Sequence, residues 1–129
     1  MVNVVADEDT SILFLDIGRV LTTCRTTCTH HSMLIQNLLL ASARKNLGLS
    51  ERIMHTSPKS IRGRLLSYFS AQAARQGSVN FSIPFNRQQL ADYLEVDRSA
   101  LSAELGKMKK EGLLDFWKNQ FVLKTEENK

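Results

Sequence analysis

"LADYLEVDRSALSAEL", residues 90–105, carries two short apolar patterns on either side of a polar joint. Leu90, Ala91 and Leu94 recur at helical spacing before "EVD", and Leu101 and Leu105 do so after it, so the stretch predicts helix, sharp turn, helix. Asp97 stands where a carboxylate accepts from the free N–H groups that open a helix. Upstream, Asn86 begins "NRQQLADYL", and Asn-x-x-Gln predicts a reciprocal capping box. Downstream, Met108 extends the buried row, the lysines of "KMKKE" complement the helix end, and Gly112 ends it. "LLDFWKNQFVLK" then reads as two strands around a tight "KN" turn. "VNFSIPF", ahead of the helix pair, reads as an edge strand because Pro84 has no N–H to donate to a ladder.

A helix with one buried face leaves its other face to be explained. Arg98, Ser99, Ser102 and Ala103 fall on the outward side of the second helix, with Lys107 one turn further. In a helix-turn-helix the second helix enters the major groove and turns its first residues to base edges. Arginine there makes bidentate contacts to guanine, and serine serves base or phosphate. Arg87, opening the preceding helix, and Lys118, in the hairpin turn, are placed to hold phosphates. A solvated face on a three-helix core has the same spacing, so both readings stand at this level.

The rest of the chain sets bounds. Its 129 residues are 43% hydrophobic with a net charge of +4, which suits one domain, or a small domain with an appendage, and a polyanionic partner. No apolar run is long enough for a bilayer, and "MVNVVADED" has no basic or apolar leader, so a cytoplasmic protein is expected. There is no glycine-rich phosphate loop, no nucleophile motif and no paired catalytic acids; the sequence predicts neither an enzyme nor a bound cofactor. Cys24 and Cys28, with His30 beyond, are a weak metal or redox candidate, because no second ligand pair exists. Reduced thiols near a helix start are the plainer reading.

"SILFLDIGRVLTT", residues 11–23, reads as strand, turn, strand. From Thr29 the pattern is helical to about His55, with a kink admissible at Gly48 and His55 placed on the surface. Met33, Leu34, Leu38 and Ala41 follow the three-four spacing, widened by Ile35 and Leu39, so this helix calls for a cover on more than one side. In "TSPKS", Ser57 is expected to cap the next helix and Pro58 to occupy its first position. That helix buries Ile61, Leu65, Leu66, Phe69 and Ala73 and stops at Gly77.

Two strings together resemble the C-terminal half of a bacterial Crp/Fnr-type transcription regulator. They are "HSMLIQNLLLASARKNLGLSERIMHTSPKSIRGRLLSYF" and "IPFNRQQLADYLEVDRSALSAELGKMKKEGLL". The second is similar to the family pattern "NRQELADYLGVSRSALSRELxxMxxEGLI". The resemblance implies a mainly α chain with a small β component. Residues 1–28 would be a remnant β-hairpin of a β-roll sensor. Residues 29–56 would form a long dimerisation helix using Leu34, Ile35, Leu38 and Ala41. Residues 57–124 would form a winged helix-turn-helix, and 125–129 a tail. It implies a homodimer on near-palindromic double-stranded DNA, with Arg98, Ser99, Ser102 and Ala103 reading bases. Asn86, Arg87, Lys59, Lys107 and Lys118 would contact the backbone. RNA polymerase is a further expected partner, and no effector is expected because most of the sensor is absent from the sequence. Two departures from the pattern bear on the helix pair: Glu95 where glycine is frequent and Ala103 where an arginine often reads bases. A winged helix serving only protein contacts, or a Cys/His sensor, remains the alternative.

Overall fold

The computed structural model describes residues 4–22 and 28–124. The chain divides into two compact units between Lys45 and Asn46. In the first, residues 4–16 have no regular secondary structure and α1 spans Ile17–Thr22. This corrects the hairpin expected over residues 11–23, of which Thr23 lies outside the described residues. A strand must find a partner for its N–H and C=O groups, and none is present among the described residues of this unit. The polar "DIGR" instead starts a helix. The Asp16 carboxylate accepts from the Arg19 N–H at 3.1 Å and its carbonyl from the Val20 N–H at 2.9 Å, satisfying donors that a helix start leaves open. Helix α2, Thr29–Thr56, begins in this unit and runs through Gly48 into the second.

The second unit holds the remaining elements: α3 (Ile61–Gln76), β1 (Asn80–Ser82), α4 (Arg87–Leu94), α5 (Arg98–Lys110), β2 (Leu114–Trp117) and β3 (Gln120–Leu123). The strands form one antiparallel sheet in the order β1-β3-β2, with Phe81 and Phe116 both opposite Phe121. β1 is an edge strand and stops before Pro84, as the missing donor requires. Three helices and the sheet close on Leu65, Phe69, Leu90, Leu101, Leu105 and Phe121, all with no exposed surface. The Phe69 and Phe121 rings meet at 4.5 Å between centroids. This is a winged helix-turn-helix.

Two local expectations need correction. Ser57 does not cap α3; its N–H and hydroxyl both donate to the Ile53 carbonyl, at 2.8 and 2.6 Å, and so close α2. The cap is Ser60, whose Oγ accepts from the Gly63 N–H at 3.0 Å. A Cβ on Gly63 would come within 2.9 Å of the Pro58 ring, so the loop packs over α3 only because residue 63 has no side chain. His55 is not on the surface either. It is 2% exposed, its Nδ1 lies 2.9 Å from the Ser67 hydroxyl, and its ring stands edge-on to Tyr68. A histidine at the end of an apolar helix reads as exposed until α3 folds over it, and no local pattern announces that contact.

Candidate nucleic-acid interface

The helix pair is built by its caps. The Asn86 carboxamide oxygen accepts from the Gln89 N–H, and the Asn86 N–H donates back to the Gln89 side chain, each at 2.9 Å; the capping box is present. Ala91 is fully buried on α4, which packs against α5. The chain then leaves α4 through Glu95 in the left-handed region, at φ 55° and ψ 50°, the conformation for which glycine is the low-cost residue. Two arginines hold that exit. Arg52, near the end of α2, donates to the carbonyls of Tyr93 and Asp92 at 3.2 Å. Arg64, on α3, donates to those of Leu94 and Glu95 at 2.9 and 3.0 Å. The last carbonyls of α4, which a helix end leaves without partners, are thus satisfied from two other helices.

Asp97 caps α5 by accepting from the N–H groups of Ser99 and Ala100 at 2.8 and 2.9 Å. The Ser99 hydroxyl donates to the same carboxylate. These bonds, the Ser99 hydroxyl foremost, hold the Asp97 carboxyl below the usual carboxylate range. Leu101, Leu105 and Met108 face the core, leaving Arg98, Ser99, Ser102, Ala103 and Lys107 exposed along the other side. Glu104 is not on that stripe. It is turned toward α3 and ion-paired with Arg62 at 2.6 Å.

The wing sits beside the start of α5. The Arg87 guanidinium lies over the rings of Phe116 and Phe121, at 4.9 and 5.0 Å, and donates to the Lys118 carbonyl at 3.0 Å. Burial lowers its pKa, although it stays a cation. Its Nη1 is buried and makes no hydrogen bond; the two ring faces are its neighbours. Lys118 takes φ 52° in the turn. Between wing and helix start lies an open groove lined by Asn86, Arg87, Gln88 and Arg98 on one side and by Trp117 to Gln120 on the other.

The groove therefore brings together four of the residues singled out from sequence: Asn86, Arg87, Arg98 and Lys118. Ser102, Ala103 and Lys107 continue along α5. Lys59 is exposed in the loop before α3 and does not line the groove. Asn86 is engaged as a cap, and Arg87 is a clamp between wing and α4. Sequence reasoning passed over Gln88, Trp117, Asn119 and Gln120. The alternation in "LDFW" carried the signal for one of them: Leu114 and Phe116 on one face place Trp117 on the other.

On α2, Leu34 and Ala41 are exposed while Ile35 and Leu38 are half-buried. Cys28 and His30 are exposed near its start, where the His31 N–H donates to the Cys28 sulfur. Cys24 lies outside the described residues. No group of three or more His, Cys, Asp or Glu side chains placed to hold a metal occurs among the described residues, and none of the described helices is long and apolar enough to cross a membrane.

A family model for the Crp-like helix-turn-helix domain matches residues 63–127, from the third residue of α3 through the wing. No curated protein matches the chain. The match covers half of the 129 residues and includes both helices of the pair, their caps and the hairpin whose geometry is described above. On that match and that architecture, the chain belongs to the Crp-like helix-turn-helix family of DNA-binding transcription regulators.

Proposed function

We propose that this chain reads promoter DNA as a homodimer. Two copies pair along α2 through Leu34, Ile35, Leu38 and Ala41 and lay their α5 helices in successive major grooves of a near-palindromic site. The observation that carries this reading is the exposed face of α5. Arg98 opens a capped helix, with Ser102, Ala103 and Lys107 exposed further along it and no carboxylate among them. Arg98 and Ser102 supply the base hydrogen bonds. Ser99 does so less, because its hydroxyl already donates to Asp97. Lys59, Lys107 and Lys118 supply phosphate contacts, which position the protein without reading sequence. Arg87 and Asn86 hold the helix and wing in place for them.

Pairing is supported by what α2 leaves uncovered. Leu34, Ala41 and Leu49 fall on the pairing side of the helix and are exposed, an apolar surface of the kind that marks an interaction site. Because its target is the chromosome, the protein works in the cytoplasm.

Selection of bound duplexes from a random pool, followed by footprinting, tests the proposal. The expected result is an enriched motif of two inverted half-sites about one helical turn, 34–36 Å, apart. Binding should weaken steeply with salt, by about 0.9 log units per log unit of salt for each phosphate neutralised. A pool without an enriched motif, together with no duplex binding at low salt, would assign the domain to protein contacts instead.

A further inference from the structure

We infer that Trp117 is a DNA-contacting residue that packs against the deoxyribose edge of one backbone strand, in the minor groove flanking the half-site read by α5. The inference rests on the DNA-reading function proposed above and adds a contact of a different chemical kind. Trp117 is the last residue of β2 and stands opposite Gln120. Its neighbour Phe116 faces the core, so the pleat turns the indole outward, and it is 75% exposed. An aromatic side chain this large is ordinarily drawn into a core, and here the described residues leave most of it uncovered.

Its position is not that of a loose loop tip. The wing turn is clamped from below, because Arg87 reaches from α4 to the Lys118 carbonyl and stacks on Phe116 and Phe121. The indole therefore stands at a set height beside the groove. Across from it is Arg98, next to it is Lys118, and no carboxylate among the described residues lines the groove. A cation, an apolar ring and a second cation in one acid-free groove fit a polymer that alternates anionic and apolar groups. A nucleic-acid backbone alternates a phosphate with the C–H face of a sugar. Arg98 and Lys118 answer the phosphates, and the indole answers the sugar, with its N–H free to donate to a phosphate or base-edge oxygen. With α5 in the major groove, the strand crossing this groove is the one that separates it from the neighbouring minor groove, where apolar side chains also lie against DNA.

Trp117 is the only tryptophan of the chain, so its emission reports this contact alone. The experiment uses the full chain and a mixed-sequence duplex. Saturation is followed by the anisotropy of a labelled copy, and indole accessibility by acrylamide quenching with the unlabelled duplex. We expect the indole to become protected at saturation. Trp117→Ala should lower affinity about tenfold, the scale of one buried aromatic side chain, with the slope of log affinity against log salt unchanged because no charge is lost. Lys118→Ala should instead reduce that slope by about 1. Trp117→Phe should recover most of the affinity, and both Trp117 variants should melt close to the parent. If duplex binds with its salt dependence intact while the indole stays as accessible as in free protein, or if Trp117→Ala binds as the parent does, this inference is overturned and the DNA-reading function stands. If the parent binds no duplex at low salt, both fall.

Discussion

The Nε of Arg62 on α3 lies 2.6 Å from the carboxylate of Glu104 on α5, and the same guanidinium reaches Glu111 at 2.8 Å. This pairing accounts for an acidic residue on the helix proposed to read DNA. Glu104 faces α3 with its charge matched. The arginine bonds to Glu111 also hold that carboxyl below its usual range. Glu104→Gln is expected to lower the melting temperature and to leave duplex affinity and its salt slope unchanged. A gain in affinity on neutralisation would show that the carboxylate faces the phosphates after all.

Arg98 opens α5 with its side chain in solvent at the mouth of the groove. Arg98→Ala should cost about 1–3 kcal/mol on the selected site and relax preference at one base pair. Binding isotherms on the selected and a scrambled duplex check this; equal losses on both would reduce Arg98 to a phosphate contact.

Glu95 sits at φ 55° in the turn. A left-handed conformation costs an L-residue about 1–2 kcal/mol, against about 0.5–1 kcal/mol of extra chain entropy that glycine loses on folding. The exposed pair with Arg52, at 3.5 Å, contributes little. Glu95→Gly should therefore stabilise the fold by about 0.5–1 kcal/mol, read as a higher denaturant midpoint with unchanged slope. Destabilisation would mean that the Arg52 contact outweighs the strain.

Burial lowers the pKa of His55 below its ordinary 6.5, with Arg75 adding to the shift and Glu51 opposing it. The unfolded chain then takes up a proton at higher pH than the folded one. Stability is full above pH 6.5 and falls as the pH drops from 6.5 through the folded-state pKa, below which it levels off. Melting curves across that window should show the loss in the parent, and His55→Gln should remove it. A parent whose melting temperature is flat across the window would mean that His55 is not held neutral.

Leu34→Glu with Leu38→Glu places two carboxylates from each copy in the proposed α2 interface, at several kcal/mol for each charge buried without a partner. Sedimentation should report a monomer and footprinting should lose the two-half-site pattern. A double variant that still sediments as a dimer would move the interface elsewhere on the chain.

The helix pair was legible because its determinants are local. Asn86 and Gln89 are three residues apart, Asp97 is adjacent to the helix it caps, and the Leu90, Leu94, Leu101 and Leu105 spacing needs nothing beyond the periodicity of a helix. What stayed hidden depends on distant partners. His55 becomes buried only when Ser67 and Tyr68 arrive. Arg87 reads as a phosphate contact until Phe116, Phe121 and Lys118, some thirty residues later, draw it inward. "SILFLDIGRVLTT" has the composition of two strands, yet composition cannot supply the neighbouring strand that would make them one sheet. Asp16 tips the segment toward a helix instead.

The two arginines that close α4 also determine where this protein can be cut. The end of α2 at Thr56 looks like a natural boundary, since a loop follows it. A fragment beginning there would lack Arg52 and His55, exposing the α4 carbonyls and opening a gap against Ser67 and Tyr68. The compact unit instead begins inside a helix, at Asn46. The last ten or so residues of α2 are in this sense masonry of the DNA-binding domain.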